Sequence, residues 1–387
     1  MKTVRMLRPP SPRPSPGRRG GNAICAPAQR TGVGSWPRGF ALIIVMIVIT
    51  ALGILAGSFA YAMKVEMKLA RNARAEPELQ WVGRSGVELA RYVLGRSMQQ
   101  PYTALNQLWA GGPGGAGETN SELMGINLEN NQLGPATFSV KIQDLERKFN
   151  INNADQEVLN RALTVIGVDA ADAPTIVDSI LDWRDLDNDP HLNGAESDYY
   201  LRLDPPYFAK NGPIDDLAEL LLVQGMTPEL YWGPAAGEHR VQLFEPNRRS
   251  RGRVSELPSY PVGLVDMFTP LSSGQINLNT ASAHVLQLLP GVDEVVANNI
   301  IRARAGPDGV EGTEDDTPFT NPGMLNPAVV PGFNPQLAGL AGRFATAISS
   351  TFEVTVDARL GQCAKKFCAI VRRRTATDVQ VLQFNWW

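Results

Sequence analysis

The chain has 387 residues, of which 43% are hydrophobic and 19% are charged, so most of it can bury a core and is not a disordered polymer. The formal net charge is −3, but residues 1–39 contain eight Lys or Arg residues, seven prolines and no acid. Taking those eight positive charges from the net of −3 leaves −11 for the rest, which argues against a nucleic-acid-binding surface. Residues 1–39 are predicted to be a basic leader peptide, disordered or processed. A true start codon nearer Val33 is the alternative.

An apolar segment follows the leader, and its length fits a membrane span. Residues 40–63 comprise 24 residues without a charged side chain. As a helix they would extend about 36 Å, against about 30 Å for the hydrocarbon core of a bilayer. The basic residues before the span place the N-terminus in the cytoplasm and the bulk of the chain outside it. Helical spacing of apolar residues continues to Val93, and Pro77 is predicted to kink or interrupt that helix.

The residues at the start of the span point beyond an ordinary single-pass anchor, which is the simplest interpretation of the span alone. The junction of Arg38, Gly39 and Phe40 resembles the cleavage site of type IV prepilins and of type II secretion pseudopilins. The resemblance implies that a prepilin peptidase cuts after Gly39 and that the new N-terminal residue, Phe40, is N-methylated.

The fifth residue after the cleavage site refines this resemblance. Most pilin-like proteins have Glu there, whereas this chain has Ile44. A carboxylate buried among apolar groups must be paired, and in that family the Glu neutralises the N-terminal amine of the neighbouring subunit. The family member that lacks it is the minor pseudopilin K of type II secretion, which is thought to lie at the filament tip.

Four short segments have the alternating pattern of half-buried strands. Residues 136–144 would be the first strand of a region, 64–149, that also includes the helix after the span. The other three, 352–360, 367–373 and 379–384, lie in the C-terminal region 336–387. A turn of sequence GQCAKK would bring Cys363 and Cys368 together, and a disulfide between them is one candidate pairing. Two reduced cysteines are the alternative.

Residues 150–335 have a different character and contain an internal repeat. The motif NINNA (150–154) matches NLNTA (277–281), and each is followed by a short glycine turn and a helix-like run. A third partial copy occupies residues 215–231. The repeat therefore predicts helix, glycine hairpin, helix, with Asn, Thr and Ser capping signals at the helix starts. It resembles the helix-hairpin-helix module.

The whole pattern resembles the pseudopilin K family over nearly all of residues 38–387. The phrases LDWRDLDND, GAESDYY and INLNTAS are similar to that family's own signatures. The resemblance implies an α+β fold with a long N-terminal transmembrane and filament helix. It also implies a pilin-like antiparallel sheet that carries a large inserted all-α domain with helix-hairpin-helix-like repeats.

A membrane-anchored DNA-binding protein of a competence system is the alternative function. Helix-hairpin-helix modules elsewhere bind the DNA backbone, and they need hairpins that offer donors to phosphate. The hairpins of this chain carry Asp169, Asp172, Asp293 and Glu294. Their charge would oppose phosphate contact, so no nucleic-acid partner is expected.

A dense acidic loop predicts a structural calcium site. Its spacing parallels an EF-hand loop at positions 1, 3, 5, 9 and 12, but Pro190 occupies position 6, where an EF-hand needs glycine. Pseudopilin K proteins are known as calcium binders, which supports the assignment; a solvated acidic loop is the alternative. The predicted ligands are Asp185, Asp187, Asp189, Asn193, Glu196 and Asp198, with Asp182 in reserve. A second, weaker candidate loop contains Asp308, Glu311, Glu314, Asp315 and Asp316.

No enzyme motif is present, since GxSxG, HExxH and P-loop patterns are missing from the sequence. The resemblance therefore implies a structural role at the tip of a periplasmic pseudopilus, nucleating its assembly and supporting protein export across the outer membrane. The implied partners are the other minor pseudopilins, the major pseudopilin, the prepilin peptidase and the inner-membrane secretion platform, with secreted substrates as a further expectation. The expected location is the bacterial inner membrane, with one span and a periplasmic bulk.

Overall fold

The computed structural model describes residues 40–114, 123, 125–237 and 260–386. Its contacts divide the chain into two compact units, residues 1–68 and residues 69–387. The predicted leader, including Gly39, lies outside the described residues.

Helix α1 (Phe40–Ser97) is one continuous helix of 58 residues. No residue of its most apolar stretch is buried, and among the described residues it is the one helix long and apolar enough to cross a membrane. This agrees with a single-pass anchor. The predicted interruption at Pro77 is wrong, because Pro77 lies inside the helix. A proline costs one main-chain hydrogen bond there, and the helix continues on either side.

In the second unit, a five-stranded antiparallel sheet packs against the C-terminal part of α1. The strand order is β1-β2-β7-β8-β9. Two glycines of α1 permit the close approach: a Cβ on Gly83 would lie 2.5 Å from the Phe367 ring, and one on Gly86 would lie 2.5 Å from Val356. The strands are β1 (Asn131–Leu133), β2 (Ala136–Asp144), β7 (Thr351–Leu360), β8 (Cys363–Arg373) and β9 (Val379–Trp386).

Strands β7 and β8 form a tighter hairpin than the sequence predicted. Gly361, with φ of +59°, and Gln362 make the whole turn, so Cys363 already belongs to β8 and pairs with Leu360. Both cysteines are free. They lie five residues apart on one strand, which separates them by about 16 Å, far beyond the reach of a disulfide. The structure therefore contradicts the candidate Cys363–Cys368 bond.

The chain leaves the sheet after β2 and returns to it at β7, and the intervening residues form a largely helical insertion with its own hydrophobic core. Two pairs of two-residue parallel strands lie within it, β3 with β4 and β5 with β6. Its elements are β3 (Phe149–Asn150), α2 (Gln156–Ile166), α3 (Ala173–Arg184), α4 (Ser197–Tyr200), α5 (Pro228–Trp232), α6 (Leu264–Met267), β4 (Phe268–Thr269), β5 (Ile276–Asn277), α7 (Ala283–Leu286), α8 (Glu294–Arg304), α9 (Ala338–Phe344) and β6 (Ala345–Thr346). This architecture confirms the predicted α+β class.

A buried polar cluster joins the insertion to the sheet. The Asp144 carboxylate accepts hydrogen bonds from Asn277 Nδ2 (2.9 Å) and Ser349 Oγ (2.7 Å). Glu146 accepts from the Thr351 amide at 3.0 Å, and Arg373 donates to the Ser349 carbonyl at 2.8 Å. Each of these groups is buried, so each needs such a partner.

Candidate metal site

The first acidic loop begins at the residue where α3 ends. The Asp185 amide still donates to the Leu181 carbonyl at 3.0 Å, but its backbone is extended and the chain leaves the helix there. Two local bonds then fold the loop. The Asp189 amide donates to Asp187 Oδ1 at 3.0 Å, and the Gly194 amide donates to the His191 carbonyl at 3.1 Å. The loop therefore returns to its starting point just before α4.

This path brings three carboxylates together. One oxygen each of Asp185, Asp187 and Glu196 lies within 4.8 Å of the others. Oxygens that each coordinate a calcium ion at about 2.4 Å are at most about 4.8 Å apart. The three side chains therefore meet the spacing requirement for a common calcium ion.

The hydrogen bonding of these carboxylates also fits a cation. Glu196 is only 3% exposed, yet neither of its carboxylate oxygens has a hydrogen-bond partner, and Asp185 Oδ1 is likewise buried without one. Buried carboxylate oxygens are costly unless a donor or a metal compensates them. Hard oxygen ligands of this kind suit calcium, so the residues present fit the predicted ion.

Burial and the closeness of the carboxylates also raise the pKa values of two residues in the loop. Burial raises the pKa of Glu196 to about 7, and the neighbouring charges of Asp185 and Asp182 add to the shift. Burial, followed by repulsion from Asp187 and Asp182, raises the pKa of Asp185 as well. The cluster thus has a surplus of negative charge among the described groups, which a divalent ion would neutralise.

A second layer of polar groups holds the loop in place. Asp182 is fully buried and accepts from the amide and the ring nitrogen Nδ1 of His191, a hydrogen bond that raises the pKa of the imidazole. Asp178 accepts from the amide and the side-chain nitrogen of Asn193, both at 3.1 Å. A Cβ on Gly194 would lie 1.9 Å from Asp182 Oδ2, so this close packing requires glycine.

Not all predicted ligands belong to the triad. Asp189 and Asp198 are exposed, and within the described residues they are not part of a group of three convergent ligands. Asn193 turns its amide nitrogen to Asp178, which gives it an anchoring position. The reserve residue Asp182 instead forms a group with Asp185 and His191.

Asn211 is a residue of this region that the sequence pattern did not indicate. It comes from a separate segment and donates from Nδ2 to the Asp187 carbonyl and, at 3.0 Å, to Asn188 Oδ1. Its φ of +46° is unusual for a residue other than glycine. No local spacing connects it with the loop, so its role appears only in three dimensions.

The second acidic loop is organised differently. Its carboxylates accept from groups within the loop: Asp316 from the Gly312 amide at 2.8 Å, and Asp315 from the Asp308 amide at 3.0 Å. Glu311 is bound by the guanidinium of Arg304, which is 5% exposed. In the part of the chain that the structure describes, this loop does not bring three ligand groups together.

The repeat extends further than its sequence motifs. Arg184 ends α3 and donates to the carbonyls of Ile151 and Ala154, while Arg304 ends α8 and donates to those of Leu278 and Ala281. The recipients occupy equivalent positions in NINNA and NLNTA. Extending the repeat alignment to the helix ends would have revealed these arginines. Each acidic loop therefore follows the equivalent arginine of its own copy.

The hairpins of the repeat offer a poor surface for phosphate. Asp169 and Asp172 are exposed between α2 and α3, and Asp293 and Glu294 are exposed at the start of α8. Asp293 also uses Oδ1 to cap the Val296 amide at 2.8 Å. The negative charge and the occupied helix start both oppose a nucleic-acid backbone.

The start of α1 is free of acids. Its first turn, from Phe40, contains no Asp or Glu, and Ile44 is exposed on the helix. The cleavage position after Gly39 lies outside the described residues.

Two family models match the chain. The model of type II secretion system protein K covers residues 127–232, which include the first acidic loop. The model of the helix-hairpin-helix motif covers residues 272–314.

Curated relatives named type II secretion system protein K are similar over longer ranges. The protein from Klebsiella pneumoniae is 25% identical over 209 residues, which are 50% of this chain and 60% of the relative. The protein from Pseudomonas aeruginosa is 25% identical over 297 residues, 72% of this chain and 75% of the relative. The matches to the Klebsiella and Escherichia coli relatives thus span about three-fifths of their length.

A solved structure has the same fold. It is a chain in the crystal structure of the GspK-GspI-GspJ complex from the enterotoxigenic Escherichia coli type 2 secretion system. The TM-score is 0.56 at 16% identity, over 82% of this chain and 99% of that one. Together with the family model and the relatives, it confirms the predicted resemblance to the protein K family of type II secretion.

Proposed function

We propose that the chain is the K-type minor pseudopilin of a type II secretion system and lies at the tip of the pseudopilus. The observation that carries the proposal is the joint architecture: an apolar N-terminal helix continues into a pilin-like helix and sheet, and the sheet carries a large helical insertion. The proposed role is assembly and needs no catalytic residue. It would nucleate the filament and support export across the outer membrane.

The proposed maturation uses the start of α1. A prepilin peptidase would cut after Gly39, and Phe40 would become the N-methylated first residue. A filament neighbour above this subunit would leave its N-terminal amine facing Ile44, which cannot neutralise it. The missing carboxylate therefore supports a terminal place in the filament.

The proposed partners and location follow from this role. The solved structure with the same fold comes from the GspK-GspI-GspJ complex, so we propose the corresponding minor pseudopilins as partners here. The major pseudopilin, the prepilin peptidase and the inner-membrane platform would be the further partners. The helix would anchor the chain in the inner membrane, with the sheet and the insertion in the periplasm.

The proposed cofactor is a structural calcium ion on the first acidic loop. Asp185, Asp187 and Glu196 would hold it. When bound, the ion would compensate the buried carboxylate oxygens of Asp185 and Glu196, which have no hydrogen-bond donor. Asp182, Asn193 and Asn211 would hold the loop in shape.

Mass analysis of the N-terminal peptide of the membrane-extracted protein tests the proposal. We expect the peptide to begin with N-methyl-Phe40 in cells with an active prepilin peptidase, and to be uncut in cells without it. Deletion of the gene should abolish secretion through the system, and the full chain should restore it. An uncut chain in peptidase-positive cells would refute the proposed maturation.

A further inference from the structure

The most exposed large apolar side chains described in residues 69–386 lie beside the first acidic loop. Leu192 is 96% exposed, Leu186 is 84% exposed and Phe208 is 68% exposed. Other large apolar residues nearby are exposed as well. We call the following six residues the apolar crown: Leu186, Leu192, Tyr199, Leu201, Leu203 and Phe208.

Hydrogen bonds hold the segments that carry the crown residues close together. The Ala209 amide donates to Ser197 Oγ at 3.2 Å, and the Tyr207 amide donates to the Tyr200 carbonyl at 3.4 Å. Asn211 reaches back to Asn188 at 3.0 Å. The loop and the segment that follows it are therefore neighbours in space.

The most exposed crown residues are not part of the hydrophobic core. Tyr200 stacks on Tyr207, and Trp183 meets both rings edge to face, with ring centroids 5.2 to 6.4 Å apart. Tyr199 also contacts Tyr200, with ring centroids 5.3 Å apart. Leu186, Leu192 and Phe208 are largely exposed, so the packing of the insertion does not account for them. Several exposed apolar side chains on neighbouring segments are typical of an interaction site.

The charge around the crown defines the chemistry of its partner. Residues 182–222 contain ten Asp or Glu residues but only three Lys or Arg residues, a net charge of −7. A divalent ion in the triad would still leave −5. The surface therefore favours a cationic partner and repels anionic lipid headgroups.

We propose that the apolar crown binds a polypeptide segment of a partner protein that combines Leu or Phe side chains with Lys or Arg side chains. The apolar side chains of the segment cover the crown, and its cations face the surrounding carboxylates. This inference goes beyond the assembly role proposed above, and its test does not depend on secretion.

The test measures binding of the full chain, in nanodiscs of zwitterionic lipid, to immobilised synthetic peptides. The peptides are a Leu/Lys sequence, a Leu/Glu sequence of the same pattern and a Ser/Lys sequence. The full chain should bind the Leu/Lys peptide at least about tenfold more tightly than either of the others. High salt should weaken this binding because it screens the charges.

Substitutions in the crown provide the specific readout. The Leu186→Ser/Leu192→Ser/Phe208→Ser variant should lose at least about tenfold in affinity. Leu192→Ser alone, at a nearly fully exposed position, should lose part of it without affecting folding. The matched control is Val295→Ser, which is 66% exposed elsewhere in the insertion and should bind normally.

Several outcomes would overturn the proposal. Equal binding to the Leu/Lys and Leu/Glu peptides would refute the preference for a cationic partner. Unchanged binding by the triple variant would refute the assignment of the crown as the binding surface. Binding to phosphatidylglycerol vesicles in place of the peptides would assign the surface to a membrane. Calcium binding is measured separately on the same variants, so failure of the cation site is distinguishable from failure of the docking surface.

Discussion

Calcium should raise the melting temperature of the chain, and the variant Asp185→Asn/Asp187→Asn should abolish that rise. Asp185 and Glu196 have buried carboxylate oxygens without partners, and Asp187 completes the triad. A ligand that binds the folded state and not the unfolded one stabilises the fold by mass action. The variant removes two of three anionic ligands and keeps the size of their side chains.

The expected magnitude follows from the number of ligands lost. At a free calcium concentration about 100 times the dissociation constant, binding adds about 2.7 kcal/mol to the free energy of unfolding. For a unit of this size, that raises the melting temperature by about 5 °C. If losing two carboxylates weakens binding about 100-fold, the same calcium concentration adds only about 0.4 kcal/mol, a rise of under about 1 °C.

The assay is thermal unfolding of the full chain in detergent micelles, with calcium or with a chelator, supported by titration calorimetry. The matched control is Asp308→Asn/Asp315→Asn in the second acidic loop, which should keep the full calcium-dependent rise. An undiminished rise in the first-loop variant would refute the assignment of the ligands. Loss of the rise in the control variant would refute the distinction between the loops.

Two further predictions concern the sheet and its boundary with the insertion. Burial, followed by the charge of Asp144, raises the pKa of Glu146 to about 7. The folded state therefore retains a proton that the unfolded state has lost, and stability should fall as pH rises from about 4.5 to about 7. In urea unfolding across that range, Glu146→Gln should remove this part of the pH dependence, whereas an unchanged slope would contradict it. Gly83→Ala should lower the free energy of unfolding by about 1–3 kcal/mol, because the new Cβ would meet the buried Phe367 ring. The control, Gly339→Ala on α9, should be neutral or mildly stabilising, because nothing lies within 4 Å of the new Cβ. An equal effect of both substitutions would contradict the argument.

Much of the fold could be predicted because its signals are local. Strand β2 has strictly alternating burial over residues 136–144, as its sequence alternates. Ser282 caps α7 through the Val285 amide, as the predicted Asn, Thr and Ser capping signals require. The caps of α2 and α8 are instead aspartates, Asp155 and Asp293. The turn between β7 and β8 was placed incorrectly because polar residues of an exposed strand end resemble turn residues. The interruption predicted at Pro77 does not occur, because the packing of a long helix outweighs one missing hydrogen bond; the kink predicted there stays a prediction.

The candidate site was predictable only in part. Spacing along the loop indicated Asp185, Asp187 and Glu196, but it could not separate them from Asp189, which the same alternation includes. Which carboxylates converge depends on the anchoring of the loop to α3 and on Asn211, which lies in a separate segment. Such contacts are tertiary, and no pattern within the loop encodes them.

The internal repeat explains why two acidic loops of similar composition have different electrostatics. Each follows the equivalent arginine, Arg184 or Arg304, which binds the carbonyls of its own repeat motif. In the second copy, Glu311 also binds that arginine, so the last residue of α8 compensates the charge of a loop carboxylate. In the first copy, Glu196 has no such partner. The second copy thus compensates Glu311 within the protein, whereas the first leaves the buried carboxylate oxygens of Glu196 without a hydrogen-bond donor.

Two single substitutions should separate these situations. Without calcium, Glu196→Gln should leave the free energy of unfolding unchanged or raise it, because it removes a buried charge that lacks a partner. The substitution should be harmful only with calcium, where it should remove the calcium-dependent rise in melting temperature. Glu311→Gln should lower the free energy of unfolding by about 1–3 kcal/mol with or without calcium. It leaves the buried Arg304 without its carboxylate, and Glu311 itself is about one-third exposed. Urea unfolding of the full chain under both conditions measures the difference. A calcium-dependent effect of Glu311→Gln, or a calcium-independent loss in Glu196→Gln, would show that the two loops are not divided in this way.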